Sequence, residues 1–216
     1  MNKQKGVTLI SLLIGLLIAM LCMVAVLSIY RTVVYVGADS RIAATHDTQL
    51  QNGLTTAQML LQNAGFGLDP TVRNVATTSI SLNSTTINAL VWKELDAIGG
   101  TAHCYGLADI AVSAERQLVL LKGTGCQSSG TVTYNVTAWS VERTLAHLHD
   151  YSADKTNLAQ IGFSGATAST TTDKACTPYG EGEINTVKHP NVTISAKTST
   201  NQTVNITVCL VNIVVA

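Results

Sequence analysis

The sequence predicts an α+β protein: one long N-terminal α-helix, with a transmembrane half and an amphipathic half, packed on an antiparallel β-sheet. Three observations predict it. Residues Gly6 to Tyr30 carry no charge. Beyond Arg31, apolar residues recur at three- and four-residue spacings as far as Ala64. After Pro70 the chain changes to short runs of alternating polar and apolar residues, rich in Thr, Ser, Asn and Val.

The uncharged run comes first. Its 25 residues reach roughly 37 Å at about 1.5 Å per residue, against a hydrocarbon core of about 30 Å. A cleaved secretory signal has a shorter apolar region and closes on a small-residue site. Here "LCMVAVLSIY" continues without one, so the segment is expected to be retained. Lys3 and Lys5 hold the N-terminus in the cytoplasm, leaving residues after about 31 outside.

In the amphipathic half, Ala43, His46, Leu50, Leu54, Ala57, Leu61 and Ala64 form one stripe. Arg41, Asp47, Gln49, Gln51 and Gln58 face water or a neighbour. Gly65, with Pro70 beyond, stops the helix. A helix from Val7 to Ala64 reaches roughly 87 Å. Gly15, Gly37 and Gly53 are its expected weak points.

The strands expected next are "TSISLN", "NALVW", "RQLVLLKG", "TVTYNVTAW", "NVTISAK" and "TVNITVCLVNIVV". In the last, Val204, Ile206, Val208 and Leu210 share a face. "STNQ" before it is a hairpin turn signal. "GFSGATASTTTDKACTPYGEG" reads as a long polar loop, and no repeat period is present.

Composition excludes some functions. The formal net charge is zero and only 12% of residues are charged; phosphate binding needs clustered lysine and arginine, so no nucleic-acid partner is expected. Aromatics at 5% argue against a base-stacking surface. Of five cysteines, Cys22 lies in the apolar run, where it reads as a small buried hydrophobe. Cys104, Cys126, Cys176 and Cys209 are widely spaced with no CxxC pair, unlike zinc or thioredoxin-type sites. Two disulfides in an oxidising compartment are expected.

The order of residues at the start is more specific. "KGVTLISLLIGLLIA" resembles the type III signal of type IV prepilins and type II secretion pseudopilins, usually K-G-F-T-L-I-E-L. Thr8, Leu9, Ile10, Leu12 and Leu13 fall where that family has them. The resemblance implies cleavage after Gly6 by a prepilin peptidase and methylation of Val7 as the new N-terminus. Ser11 stands where the family has a glutamate, whose partner there is the terminal amine of a neighbouring subunit. A serine hydroxyl can instead bond the carbonyl one turn back. "MLLQNAGFGL" (residues 59–68) is similar to the "L-x-x-D-L-R-x-A-G-Y/F" ending the helix in PilW-type minor pilins, with Leu61 and Gln62 in place of Asp-Arg.

By this resemblance the chain divides into a leader (1–6), a helix (7–64, transmembrane over 7–30) and a β-rich periplasmic or extracellular head (65–216). It implies a structural minor pilin, not an enzyme, with no cofactor. The subunit sits in the bacterial inner membrane, then in a pilus filament at or near the tip. Its partners are the prepilin peptidase, the inner membrane, and other major and minor pilins met through the N-terminal helix. A type II secretion pseudopilin, a major pilin and a membrane-anchored binding protein are the alternatives. Among three possible disulfide pairings, the sequence-nearest, Cys104–Cys126 and Cys176–Cys209, is expected. Its second bridge ties a polar loop to the last strand, as in many pilins.

Constellations that could carry chemistry are few. "HLHD" (147–150) offers two imidazoles and an acid, with His103 conceivable as a further ligand; a solvated loop is the simpler reading. "GEGE" (180–183) with Asp173 could offer oxygens to calcium but lacks an ordered DxDxDG pattern. Ser164 in "GFSGA" sits in a loop context without triad partners. Neither a catalytic nor a metal site is therefore expected. Asn83, Asn135, Asn191, Asn201 and Asn205 each begin an N-x-S/T triplet and read as strand and turn composition.

Overall fold

A computed structural model describes residues 9–72, 74–112, 115–133, 135–148, 161–165, 175–176 and 189–214. Helix α1 spans Leu9–Leu61 and runs unbroken through Gly15, Gly37 and Gly53. The chain forms two compact units, Met1–Ala44 and Thr45–Ala216.

The second unit is α+β. A five-stranded antiparallel meander holds β1 (Val75–Leu82), β2 (Thr85–Leu95), β3 (Ala102–Val112), β4 (Glu115–Thr124) and β5 (Ala138–Leu148), in that order. Asn83 and Ser84, both at positive φ, make the two-residue β1–β2 hairpin, whose left-handed backbone matches strand twist. Register shifts in the β4–β5 ladder, at Leu118/Val119 and Leu120/Leu121, add local twist. The sheet curls until parts of its edge strands β1 and β5 come within 8 Å, Cα to Cα.

The expected helix and antiparallel sheet are both present, and a second, smaller antiparallel sheet accompanies them. Its centre is β8 (His189–Lys197), paired with β9 (Thr203–Cys209) along one edge and with β6 (Ile161–Ser164) and the short β7 (Ala175–Cys176). Asn201 at φ 58° turns the β8–β9 hairpin, which closes with Thr198 N donating to Gln202 O at 2.9 Å.

Both sheets and the C-terminal half of α1 share one core. Leu50, Leu54, Ala57 and Leu61 from the helix meet Leu90, Trp92, Leu107 and Leu118 from the meander, and Val192, Ile194 and Val208 from the smaller sheet. A second apolar cluster, with Ile80, Ala89, Val91, Ala108, Val119 and Leu121, lies on the opposite face of the meander. Burial on both faces makes "NALVW" a continuous apolar run rather than an alternating one.

Two boundaries differ from expectation. The helix ends at Leu61, three residues short of Ala64, because the last turn tightens: Asn63 and Ala64 donate to carbonyls three residues back, at 3.2 and 3.0 Å. The strand expected over "TVTYNVTAW" begins only at Ala138. The described residues before it, among them Asn135 at φ 60°, form an irregular connection.

Candidate functional site

Each unit carries its own candidate surface. In the first, every residue of α1 from Leu9 to Ile42 is exposed, and Leu9, Ile10, Leu12, Leu13, Ile14, Leu16 and Leu17 are each more than half so. No water-soluble helix leaves an all-round apolar surface bare; such a surface belongs in lipid or against other apolar helices. By length and composition α1 can cross a membrane. Where polar side chains occur they find local partners: Thr32 Oγ1 donates to Ser28 O at 3.1 Å, and the Arg31 guanidinium lies over the Tyr35 ring at 5.6 Å. Ser11 lies on the exposed apolar stretch. The expected cleavage and methylation positions, Gly6 and Val7, lie outside the described residues.

In the second unit α1 is held by polar contacts as well as by its apolar stripe. His46, 2% exposed, places Nε2 3.3 Å from Lys197 O. The Asp47 carboxylate accepts from Ser199 N and Oγ at 2.8 and 2.7 Å. Gln49 Oε1 accepts from His147 N at 3.1 Å. Below them Gly53 is buried, and a Cβ there would stand 2.8 Å from Ala146 Cβ and 3.3 Å from Leu145 O. Helix and sheet touch backbone to backbone at that point, so the glycine permits contact and is not the weak point expected.

Past the helix, Gly65 takes φ 82° and donates to Lys93 O at 2.8 Å. Leu95 N then donates to Phe66 O at 3.0 Å, extending the edge of β2 with the chain that leaves α1.

Lys93 is fully buried. Its Nζ donates to three backbone carbonyls of the β4–β5 connection: Ser128 at 3.1 Å, Ser129 at 3.4 Å and Gly130 at 2.7 Å. Burial pulls the ammonium pKa down, while the three carbonyls favour the charged form. Its cross-strand neighbour Cys104 is disulfide-bonded to Cys126 in the same connection. Loop and sheet are therefore tied twice at one place, by a covalent bond and by a buried cation. The other disulfide joins Cys176 in β7 to Cys209 at the end of β9; Cys22 is free and exposed.

On the opposite face from Lys93, Trp92 Nε1 donates to Glu94 Oε2 at 3.0 Å. Burial raises the Glu94 pKa, opposed by that hydrogen bond and by His103. The Tyr105 hydroxyl is likewise pushed up, first by burial and then by Glu94 and Glu142.

The remaining motifs disperse. His147 lies on β5 with Nδ1 3.4 Å from Gln117 Nε2, and His103 on β3 faces Asp96 at 3.9 Å; His149 and Asp150 are outside the described residues. So are Asp173 and Gly180–Glu183, and among the described residues no metal-ligating cluster occurs. Ser164 ends β6, opposite Thr193. Asn83, Asn135 and Asn201 occupy left-handed turn positions, while Asn191 and Asn205 lie on β8 and β9.

Two features escaped sequence reasoning. One is buried Lys93, marked only by a charge where the "A-x-V-x-K" alternation points inward. The other is a buried ion pair: Arg116 Nε donates to Asp109 Oδ1 at 2.8 Å, and its Nη2 to Asp109 O at 3.0 Å. Asp109 Oδ2 accepts from Ile161 N at 3.0 Å, which fastens β6 to the meander.

Residues 1–27 match the family model for the prokaryotic N-terminal methylation motif. Searches of curated proteins and of solved structures return no match for the chain.

Proposed function

We propose that this chain is a minor pilin of a type IV pilus, stored in the inner membrane by its N-terminal helix and drawn into the filament at or near the tip. The premise is the prepilin-type motif over residues 1–27, which supports a type IV pilin or pseudopilin, its processing by prepilin peptidase and its assembly with other pilins. The long apolar helix followed by antiparallel sheet is a pilin-like α+β architecture. An exposed apolar helix suits both stages, since lipid tails and neighbouring pilin helices are equally apolar surroundings. The observation that carries the reading is the order K-G-V-T-L-I at the head of that helix.

In this reading peptidase cuts between Gly6 and Val7, and Val7 is methylated. Intact-mass measurement of membrane-extracted protein tests it: the mature chain lacks residues 1–6 and carries one added methyl group. A full-length Met1 species in cells with active peptidase, or a cut beyond residue 30, defeats it.

The placement near the tip rests on Ser11. A shaft subunit offers its terminal amine to one neighbour and needs a carboxylate for another; this chain has serine where that carboxylate belongs. A subunit with no neighbour above loses nothing by the change. The PilW-type reading rests on "MLLQNAGFGL", whose Leu61 and Ala64 are fully buried in the core. Deleting the protein is then expected to reduce pilus initiation, while Ser11→Glu does little for piliation. Immunogold label spread evenly along the shaft would end the tip placement.

A further inference from the structure

On the meander face that packs against α1, the side chains change character toward the β1–β2 hairpin. Leu90 and Trp92 give way to Asn88 and Thr86, opposite Ser79 and Ser81, with Thr77 beside Leu90. Beside that polar surface lie β6 and the end of β8, and a cleft of about 910 Å³ opens there. This is within the size range of small-ligand sites, roughly 300–1,000 Å³.

We propose that this cleft binds a neutral oligosaccharide, an activity that stands whether the chain works in a pilus or a pseudopilus. Among the described residues its lining combines hydroxyls and an amide with one aromatic ring. Thr77, Ser79, Thr86 and Asn88 supply groups that both donate and accept hydrogen bonds, as sugar hydroxyls do. Ser79 and Asn88 are pre-set by their own bond at 2.9 Å. Phe163 on β6, half-buried, supplies a flat apolar face for the C–H side of a pyranose ring.

Charge gives the second argument. The one carboxylate among the described lining residues, Asp109, is engaged by Arg116, and both are more than nine-tenths buried. The pair cancels its own charge, leaving exposed Lys197 as the remaining ionic group among the described lining residues. Apart from that one solvated ammonium, the wall is uncharged hydroxyl, amide and apolar surface. Asp109 also holds Ile161 N, which sets β6 in place and with it Phe163 two residues on. A docked peptide draws its specificity from pockets for its side chains; the wall here presents the hydroxyl-bearing face of β1 and β2 in place of apolar anchor pockets.

The test uses the full chain in lipid nanodiscs, so that no sugar-headed detergent competes. Maltotriose, cellotriose and triacetylchitotriose are titrated separately while the methyl signals of Thr77, Thr86 and Ile161 are followed by NMR, with a threonine-rich hexapeptide as the comparison. At least one trisaccharide is expected to give saturable shifts at these methyls with a Kd of about 1 mM or tighter. Phe163→Ala should weaken that binding about tenfold, and Phe163→Tyr should retain it. Should Phe163→Ala misfold, Thr86→Val, isosteric and on the exposed face, should weaken binding severalfold with an unchanged thermal midpoint. The proposal fails if no sugar gives saturable shifts by roughly 20 mM, if the shifts map elsewhere, or if only the hexapeptide binds.

Discussion

Lys93 and Glu94 are adjacent on β2, point to opposite faces, and are both charged groups in partly or wholly dry surroundings. Their consequences differ. Replacing a buried charge by an apolar side chain of similar size is often neutral for stability, because the desolvation cost disappears along with the hydrogen bonds. Lys93→Met is therefore expected to move the unfolding free energy by only about 1 kcal/mol. Local order should respond more: amide exchange at residues 127–131 should quicken, since three carbonyls lose their shared donor. Unchanged exchange there would show that the disulfide alone holds the loop.

For Glu94 the sign follows from its raised pKa. A carboxyl that protonates more readily folded than unfolded stabilises the fold fully below the ordinary glutamate range, and that contribution is lost as pH rises through the raised value. Glu94→Gln keeps an acceptor for the Trp92 indole but no longer titrates. The variant should thus gain on the parent between pH 4 and 7, by on the order of a few tenths of a kcal/mol for a half-solvated group. Thermal midpoints of both proteins across that range check it; parallel curves would contradict the assignment.

Within α1 the glycines separate two demands on one element. A Cβ at Gly37 meets nothing within 4 Å, so Gly37→Ala should stabilise the helix by about 0.5–1 kcal/mol in detergent. At Gly53 the same gain in propensity is overridden by the contact with Ala146, and Gly53→Ala should destabilise the second unit by about 1–3 kcal/mol. Opposite shifts in the thermal midpoint are the expected result. If both variants gain, the helix and β5 are not in close contact.

The same contrast explains what could be read in advance. The stripe from His46 to Leu61 was legible because a helix face repeats every three or four residues. Strand β3 was not: "AHCYGLADIAV" is rich in small residues, includes Gly106 and shows little alternation, since Gly106 through Asp109 are buried on both faces. The connection at "TVTYNVT" misled for the opposite reason, alternating like a strand while Asn135 turns the backbone left-handed. The ion pair of Asp109 and Arg116 and the cleft beside it join residues from β1, β2, β3, β4, β6, β8 and β9. The pair spans one hairpin whose first strand was not recognised, and no spacing within a single segment announces the cleft.

For the head as a whole, the disulfides bridge sequence separations of 22 and 33 residues. By chain entropy each adds about 3–4 kcal/mol, a large share of the roughly 5–15 kcal/mol typical of a domain. Cys104→Ser/Cys126→Ser and Cys176→Ser/Cys209→Ser should each lower the denaturation midpoint clearly. The first should also release the loop that Lys93 holds, which makes the two substitutions at Lys93 and Cys104 non-additive. Strict additivity in a double-mutant cycle would argue that cation and disulfide act independently.

The core under α1 is finished by residues from the far end of the chain: Val208, Leu210 and Ile213 pack with Leu50, Leu54 and Leu61, and His46 meets Lys197 across 151 positions. A ribosome makes the helix first and the residues that cover it last. The apolar stripe of the helix is made early and stays uncovered until translation reaches the β8–β9 hairpin. During that interval the growing chain offers a sticky surface to whatever is near, so a holding chaperone or the membrane surface has a window in which to act. A ribosome stalled before β9 would leave the stripe bare, and such a product should be a ready substrate for proteolysis.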